Sequence, residues 1–81
     1  MTEATRIEPS RALDVKGLSC PLPILRAKKA LSEMASGETL EVQATDRGAW
    51  DDFDYFCQST GHTLESRTET DGVFCFRIRV R

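Results

Sequence analysis

The chain has 81 residues, of which 13 are acidic and 11 are basic, giving a formal net charge of -2 at pH 7. This length allows one domain with a thin core and excludes a deep substrate cavity, and the small net charge excludes a global attraction to nucleic acid or an anionic membrane. No apolar run approaches the roughly 20 residues that a membrane-spanning helix needs. With three cysteines and no apolar leader segment, we expect free thiols in a reducing cytoplasm.

The first half of the chain has one strand-like and one helix-like segment. Residues 1–10 are polar, and we expect a flexible tail there, ahead of one domain over residues 11–81. The spacing predicts a strand from Ala12 to Lys16 and a helix from Leu22 to about Ala35. Gly37 is a suitable residue to end that helix. The apolar side chains at helical spacing are Ile24, Ala27, Leu31 and Met34.

The second half continues with a strand, a helix and two further strands. Residues Thr39–Thr45 alternate as a strand does, and a helix is predicted from about Ala49 to Thr60, ended by Gly61. Two more strands are predicted over His62–Thr70 and Val73–Val80. The order β-α-β-α-β-β predicts an α+β fold, a two-layer sandwich in which a four-stranded mixed sheet carries both helices on one face.

Cys20 is the residue with the strongest chemical signal, because it directly precedes the first helical turn. The unpaired N–H groups of a helix start favour an anion, so we expect the pKa of this thiol to be lowered. Pro21 suits the first helical position, and Pro23 is tolerated in the first turn. Position alone leaves a reactive thiol and an inert, packed cysteine equally open. Basic residues nearby in sequence, which would lower the pKa further if they reached back, are Lys16, Arg26, Lys28 and Lys29.

The other chemically active side chains have simpler explanations. Cys57 lies at the edge of the apolar stripe of the second helix and is expected to be core packing. Cys75 should point away from the helices, with an ordinary thiol pKa, and His62 should cap a helix or face solvent. Trp50 is expected in the core and Asp46 as a helix cap. No two cysteines are two residues apart, so a metal site is not expected.

From Leu13 to Val80 the chain resembles the TusA family of sulfur carriers, also called SirA-like proteins. The signature of that family is Cys-Pro-x-Pro at the start of the first helix, and residues 20–23 match it. Further matches are Leu13-Asp14, Gly17-Leu18, Gly37-Glu38, Ala44-Thr45-Asp46, Phe53-x-x-Phe56-Cys57 and Gly61-His62. The fold of the family is the same β-α-β-α-β-β sandwich.

The resemblance implies a role for Cys20. This residue would accept sulfane sulfur from a cysteine desulfurase or rhodanese-like donor as a persulfide. It would then pass the sulfur to a cysteine of an acceptor such as a DsrE/TusBCD-like protein. Supporting residues of the motif would be Gly17, Pro21 and Pro23, and partners would dock on Lys16, Arg26, Lys28, Lys29 and Arg47.

Family destinations for the sulfur include tRNA 2-thiolation, molybdenum cofactor supply and sulfur oxidation. The resemblance implies no metal or organic cofactor, and a persulfide carrier rather than a turnover enzyme. We expect a monomer that docks transiently on other proteins, with no direct contact to nucleic acid or membrane.

The chain departs from the family pattern in two places. Arg47 stands where the family commonly has proline. The residues after Pro21 are apolar, whereas members linked to tRNA thiolation often carry Glu-Pro-Val-Met there. The apolar version is closer to members that are associated with sulfur oxidation or that have no assigned role.

The main alternative function is a non-catalytic regulatory or adaptor domain that uses the same surface. A thiol redox module ranks lower, because no second cysteine lies two residues from Cys20.

Overall fold

The computed structural model of the protein describes residues 9–81, and its element order is the predicted β-α-β-α-β-β. The elements are β1 Arg11–Val15, α1 Leu22–Ser32, β2 Thr39–Ala44, α2 Ala49–Thr60, β3 Thr63–Thr70 and β4 Val73–Arg79. Most of the predicted tail, residues 1–8, lies outside the described residues. Ser10 is hydrogen-bonded to Thr39 through its backbone and its side chain. No helix in the described part of the chain is long and apolar enough to cross a membrane.

The four strands form one mixed sheet in the order β1-β2-β4-β3. β1 pairs with β2 in parallel, and β4 pairs with β2 and with β3 in antiparallel. One register position runs across the adjacent strands β1, β2 and β4 and is occupied by Val15, Ala44 and Phe74, all of which are buried. The alternation predicted from sequence is therefore confirmed, since the buried residues of the strands share one face of the sheet.

The core lies between that face and the two helices. Its large, fully buried side chains include Leu40, Val42, Phe53, Phe76 and Ile78. The rings of Phe53 and Phe76 stack with centroids 4.5 Å apart, which joins α2 to the central strand β4. Burying side chains of this size stabilises the fold by about 1.5–3 kcal/mol each.

Helix α1 ends three residues earlier than predicted, at Ser32 instead of Ala35. The N–H groups of Glu33 and Met34 bond carbonyls three residues back, which tightens and closes the last turn. Gly37 does not end the helix: its φ is 89°, and its N–H donates to the carbonyl of Val80. The predicted bounds of each strand are displaced by one residue at one or both ends, and those of α2 are confirmed.

Replacing Phe53 with alanine tests the core. We expect Phe53→Ala to lower the free energy of unfolding by about 3–5 kcal/mol, since it leaves a cavity against Phe76. Urea denaturation monitored by circular dichroism measures the change. Tyr55→Ala is the matched control on the same helix, because the Tyr55 side chain is 74% exposed, and it should change stability by no more than about 0.5 kcal/mol. Equal losses from the two variants would contradict this packing.

Candidate functional site

Two loops meet at one edge of the sheet. Because β1 and β2 run in parallel, the loops that follow them leave from the same edge, and both helices begin there. Gly17 turns the first loop with a φ of 85°, and its N–H donates to Oγ1 of Thr45 in the second loop at 2.9 Å. This hydrogen bond between Gly17 and Thr45 ties the two loops together.

Cys20 lies in the first loop, and its side chain is exposed. The N–H of Leu22 donates to the carbonyl of Ser19 at 2.9 Å, which closes a turn around the cysteine. Helix α1 begins at Leu22, so Pro21 precedes the helix rather than occupying its first position, while Pro23 is buried in the first turn. The thiol is exposed, but Cys20 lies one residue before the N-cap Pro21 and does not directly precede the first helical turn as predicted.

The expected lowering of the Cys20 pKa is wrong. Desolvation by neighbouring atoms raises the pKa of this thiol; the charge of the Asp52 carboxylate and its hydrogen bond with the thiol raise it next, and the charge of Asp46 follows. Two carboxylates from the second loop and α2 therefore oppose the helix-start effect that the sequence suggested. These surroundings favour the protonated form of Cys20.

A raised pKa leaves the site with a usable nucleophile. Thiol exchange proceeds through the thiolate fraction, and the intrinsic nucleophilicity of a thiolate increases with its pKa. Cys20 is exposed, so access does not limit it.

The acidic pair beside the thiol is organised around Gly48, the residue before α2. Asp46 does not cap the helix as predicted; its Oδ2 accepts the N–H of Gly48 at 3.1 Å. Asp52 lies in the first turn, and its N–H donates to the carbonyl of Gly48 at 3.0 Å. A Cβ at Gly48 would lie 3.1 Å from Asp46 Oδ2 and 3.7 Å from Asp52 Oδ2. The effect of Asp52 on Cys20 was not predicted from the sequence, because it depends on how two distant segments meet.

Two of the basic residues that lie near Cys20 in sequence are engaged elsewhere. The ammonium of Lys16 lies 3.2 Å from Asp14 Oδ1 and 2.9 Å from Gln43 Oε1, on the sheet face away from the helices. Lys29 pairs with Glu33 at 3.0 Å, near the end of α1. Neither cation reaches back to the thiol.

The other three predicted docking residues are exposed but do not form one cluster. Lys28 lines a cleft of about 280 Å³ together with His62 and Arg81, at the far ends of the helices. Arg26 lies in the second turn of α1, and Arg47 lies in the second loop. Neither of these two arginines forms an ion pair within residues 9–81.

Two exposed leucines follow Cys20 on α1. The exposed fractions are 41% for Leu22 and 52% for Leu25, large for apolar side chains. The residues after Pro21 are apolar in the sequence, but no exposed apolar surface was predicted there. The signal was present, because both leucines fall outside the stripe that α1 buries against the sheet.

The other two cysteines have different surroundings. Cys57 is buried as predicted, and burial, together with the charge of Asp54, raises its pKa to about 11. Cys75 lies on the open face of the sheet and donates from Sγ to Glu41 Oε2 at 2.9 Å. Its predicted ordinary pKa is wrong: desolvation first, then the hydrogen bond and charge of Glu41, raise it to about 11. Neither thiol is accessible and ionised at neutral pH.

His62 does not pair with Cys20. It follows the last turn of α2, whereas Cys20 lies at the edge where the helices begin, and 12 residues of helix span about 18 Å. Its Nδ1 accepts the N–H of Arg81 at 3.2 Å, and desolvation and the Arg81 charge lower its pKa. Among the residues that the structure describes, no group of three His, Cys, Asp or Glu side chains is placed to hold a metal ion.

Trp50 packs on the core and also borders a surface cleft. Its ring lies 5.8 Å from Phe74 and 6.4 Å from Phe76, and the guanidinium of Arg67 covers it at 4.4 Å. The predicted core position is therefore half right, since the side chain is only partly buried. The cleft of about 240 Å³ is lined by Arg47, Trp50, Asp51, Glu69 and Phe74.

Comparison with known proteins agrees with this geometry. The family model described as Sulfurtransferase TusA matches residues 11–80, so the chain belongs to the TusA family. A protein of Neisseria meningitidis serogroup A, named as a candidate sulfur carrier, is 62% identical over 70 residues, covering 86% of this chain and 95% of that protein. The sulfur carrier protein TusA of Allochromatium vinosum is 54% identical over 67 residues, covering 83% of this chain and 88% of that protein.

A solved structure confirms the predicted fold. The crystal structure of a SirA-like protein from Desulfitobacterium hafniense matches with a TM-score of 0.77 and 28% sequence identity. The match covers 85% of this chain and 95% of that one. The resemblance drawn from the Cys-Pro-x-Pro segment is confirmed by the family model, the named relatives and the solved structure.

The three thiols should differ sharply in alkylation by iodoacetamide. We expect Cys20 to react fastest at every pH because it alone is exposed, and Cys57 to react only after unfolding. The rate at Cys20 should still increase beyond about pH 9, since its pKa lies above the ordinary value. Peptide mass spectrometry resolves the three sites. A rate at Cys20 that levels off below about pH 8 would show an activated thiol and contradict the acidic surroundings.

Proposed function

We propose that Cys20 carries sulfur as a persulfide between two protein partners. Membership of the TusA family supports a role as a sulfur carrier, and relatives carry that name. The observation that carries the proposal is the position of Cys20: it is exposed, at the start of α1, in the Cys-Pro-x-Pro segment. An exposed thiol at a sheet edge is open to one protein and then to another.

Both steps are thiol exchange, and their atoms balance without a cofactor. The Cys20 thiolate attacks the outer sulfur of a persulfide on the donor, and the donor cysteine leaves as a thiolate with the electrons of the broken S–S bond. Cys20 now holds the outer sulfur. A thiolate of the acceptor then attacks that sulfur, and Cys20 leaves as a thiolate in its turn. No net oxidation occurs.

The motif residues support this chemistry by fixing the loop. Gly17 provides the left-handed backbone that turns the chain out of β1, and its bond to Thr45 anchors the loop. Pro21 and Pro23 restrict the backbone on the helix side of Cys20. The thiol therefore stands on a stiff support, and its partners meet it in one geometry.

The surface beside Cys20 is the docking site in this proposal. Leu22 and Leu25 offer exposed apolar area next to the thiol, and Arg26 adds an exposed positive charge. The donor is a cysteine desulfurase or rhodanese-like protein, and the acceptor is a DsrE/TusBCD-like protein. The carrier acts in the cytoplasm. It acts as a monomer, because each partner must approach the same side of the molecule.

Persulfide loading tests the proposal directly. The protein is incubated with a cysteine desulfurase and cysteine, the product is trapped by alkylation, and the intact mass is measured. We expect a gain of one trapped sulfur atom, abolished in Cys20→Ser because that variant lacks the accepting sulfur. Cys75→Ser is the matched control, since the Cys75 thiol is hydrogen-bonded to Glu41. This variant should load as the unaltered protein does.

Two outcomes would count against the proposal. Normal loading of Cys20→Ser would place the sulfur on another residue. No loading of the unaltered protein, with either a desulfurase or a rhodanese as donor, would favour the adaptor function in which this surface binds a partner without chemistry.

A further inference from the structure

A cleft of about 280 Å³ lies between α1 and α2, away from the edge where the two helices begin. Its lining residues come from α1, from α2 and from the segments that follow α2 and β4. Cys20 precedes the first turn of α1, whereas His62 of the cleft follows the last turn of α2, whose 12 residues span about 18 Å. The cleft is therefore separate from Cys20, and the proposed sulfur transfer uses none of its residues.

The cleft combines buried apolar side chains with basic ones. Leu31 of α1 and Phe56 of α2 line it and are almost fully buried. Three basic side chains line it as well, those of Lys28, His62 and Arg81. Within the described residues, no aspartate or glutamate lines the cleft, and neither Lys28 nor Arg81 is in an ion pair. The cleft thus has uncompensated positive charge beside apolar surface, in a chain whose net charge is -2.

Backbone geometry places two of the basic groups. The N–H of Arg81 donates to Nδ1 of His62 at 3.2 Å, so Nδ1 carries no proton in this bond. The neutral imidazole then carries its proton on Nε2, which makes Nε2 a hydrogen-bond donor. Gly61 follows α2 with a φ of 88°, and a Cβ built there would lie 3.0 Å from Cδ of Arg81. The Arg81 side chain therefore passes close across the end of α2, in space that a side chain at position 61 would take from it.

The two hydroxyl groups of the cleft add no donor. Oγ of Ser32 donates to the carbonyl of Lys29 at 2.6 Å, and Oγ1 of Thr60 donates to the carbonyl of Phe56 at 2.7 Å. Their protons are used within the helices. The donors that remain for a ligand are an ammonium, a guanidinium and an imidazole N–H, two of which are positively charged. They match a group that is negative and only accepts hydrogen bonds, which is a carboxylate.

The size of the cleft limits what fills it. Pockets for small molecules and cofactors have volumes of about 300–1,000 Å³ and enclose most of the ligand. This cleft lies just below that range, and the Lys28 and Arg81 side chains at its opening are exposed. It accommodates an acidic side chain and a neighbouring apolar one, as the surface of another protein presents them.

We propose that this cleft is a second docking site, which binds a segment of a partner protein that carries an aspartate or glutamate next to an apolar side chain such as leucine. The carboxylate pairs with Lys28 and Arg81, and the apolar side chain packs on Leu31 and Phe56. A partner bound here leaves Cys20 uncovered, so one protein can hold the carrier while its thiol meets another. Binding at the cleft needs no persulfide, so this inference stands apart from the proposed sulfur transfer.

Two short peptides test the inference. The probes are acetyl-Leu-Glu-Leu-amide and its neutral counterpart acetyl-Leu-Gln-Leu-amide. Each is added to the isotope-labelled, unaltered protein, and the backbone amide signals are followed by NMR. We expect the glutamate peptide to shift the signals of Ser32, Thr60 and His62 in a saturable way. The glutamine peptide should bind several-fold more weakly, because it lacks the negative charge.

Matched variants separate the cleft from charge in general. Lys28→Gln and Arg81→Gln should each weaken binding of the glutamate peptide several-fold. Arg79→Gln removes the same charge two residues earlier, from a side chain that pairs with Glu65 outside the cleft, and it should leave binding unchanged. In the unaltered protein, added salt should weaken binding of the glutamate peptide more than that of the glutamine peptide, because salt screens the charges. The salt series tests the inference even if a variant folds poorly.

Four results would overturn the inference. Equal binding of the two peptides would show that the cleft does not recognise a carboxylate, and equal losses in Arg81→Gln and Arg79→Gln would show that only net charge matters. Saturable shifts absent from the cleft, or confined to residues around Cys20, would mean that the cleft is not the docking site. Acetyl-leucine, a free carboxylate, binding as tightly as the peptide would make the cleft a small-molecule site. All four are measured without sulfur on the protein, so persulfide loading of Cys20 is judged separately.

Discussion

The parallel pairing of β1 with β2 is the constraint on which the candidate site depends. Because both strands end at the same edge of the sheet, the loops that follow them lie side by side, and α1 and α2 both begin there. The bond between Gly17 and Thr45 holds the loops together. In this arrangement the charge of Asp52, at the start of α2, acts on Cys20 in the first loop, although 32 positions separate them in the chain.

The electrostatic effect of the two adjacent loops on the Cys20 thiol differs from the effect of a single helix start. An isolated helix start favours the thiolate. Here partial desolvation and the carboxylates of Asp52 and Asp46 favour the thiol instead, and the nearby Lys16 is held by Asp14 and Gln43. The structure therefore presents an exposed thiol whose surroundings favour its protonated form.

The sequence predicted the parts of the molecule that local pattern controls. Alternation placed Val42 and Phe76 in the core, helical spacing gave the bounds of α2, and the Cys-Pro-x-Pro segment identified Cys20. It failed where partners come from distant segments. The acidic neighbour of Cys20 depends on how two loops meet, and the bond of Cys75 to Glu41 depends on the pairing of β4 with β2. Neither can be read from spacing within one element.

Transfer of labelled sulfur tests the central claim most directly. The protein is loaded with radioactive sulfur, freed of excess label and mixed with a DsrE-type acceptor that has a single active cysteine. If the sulfur atom of Cys20 carries the transferred sulfur, the label will leave the peptide that contains Cys20 and appear in equal amount on the acceptor. The variant Cys20→Ser will transfer none. Label that stays on Cys20 in the presence of the acceptor, or that Cys20→Ser transfers equally well, would contradict the account.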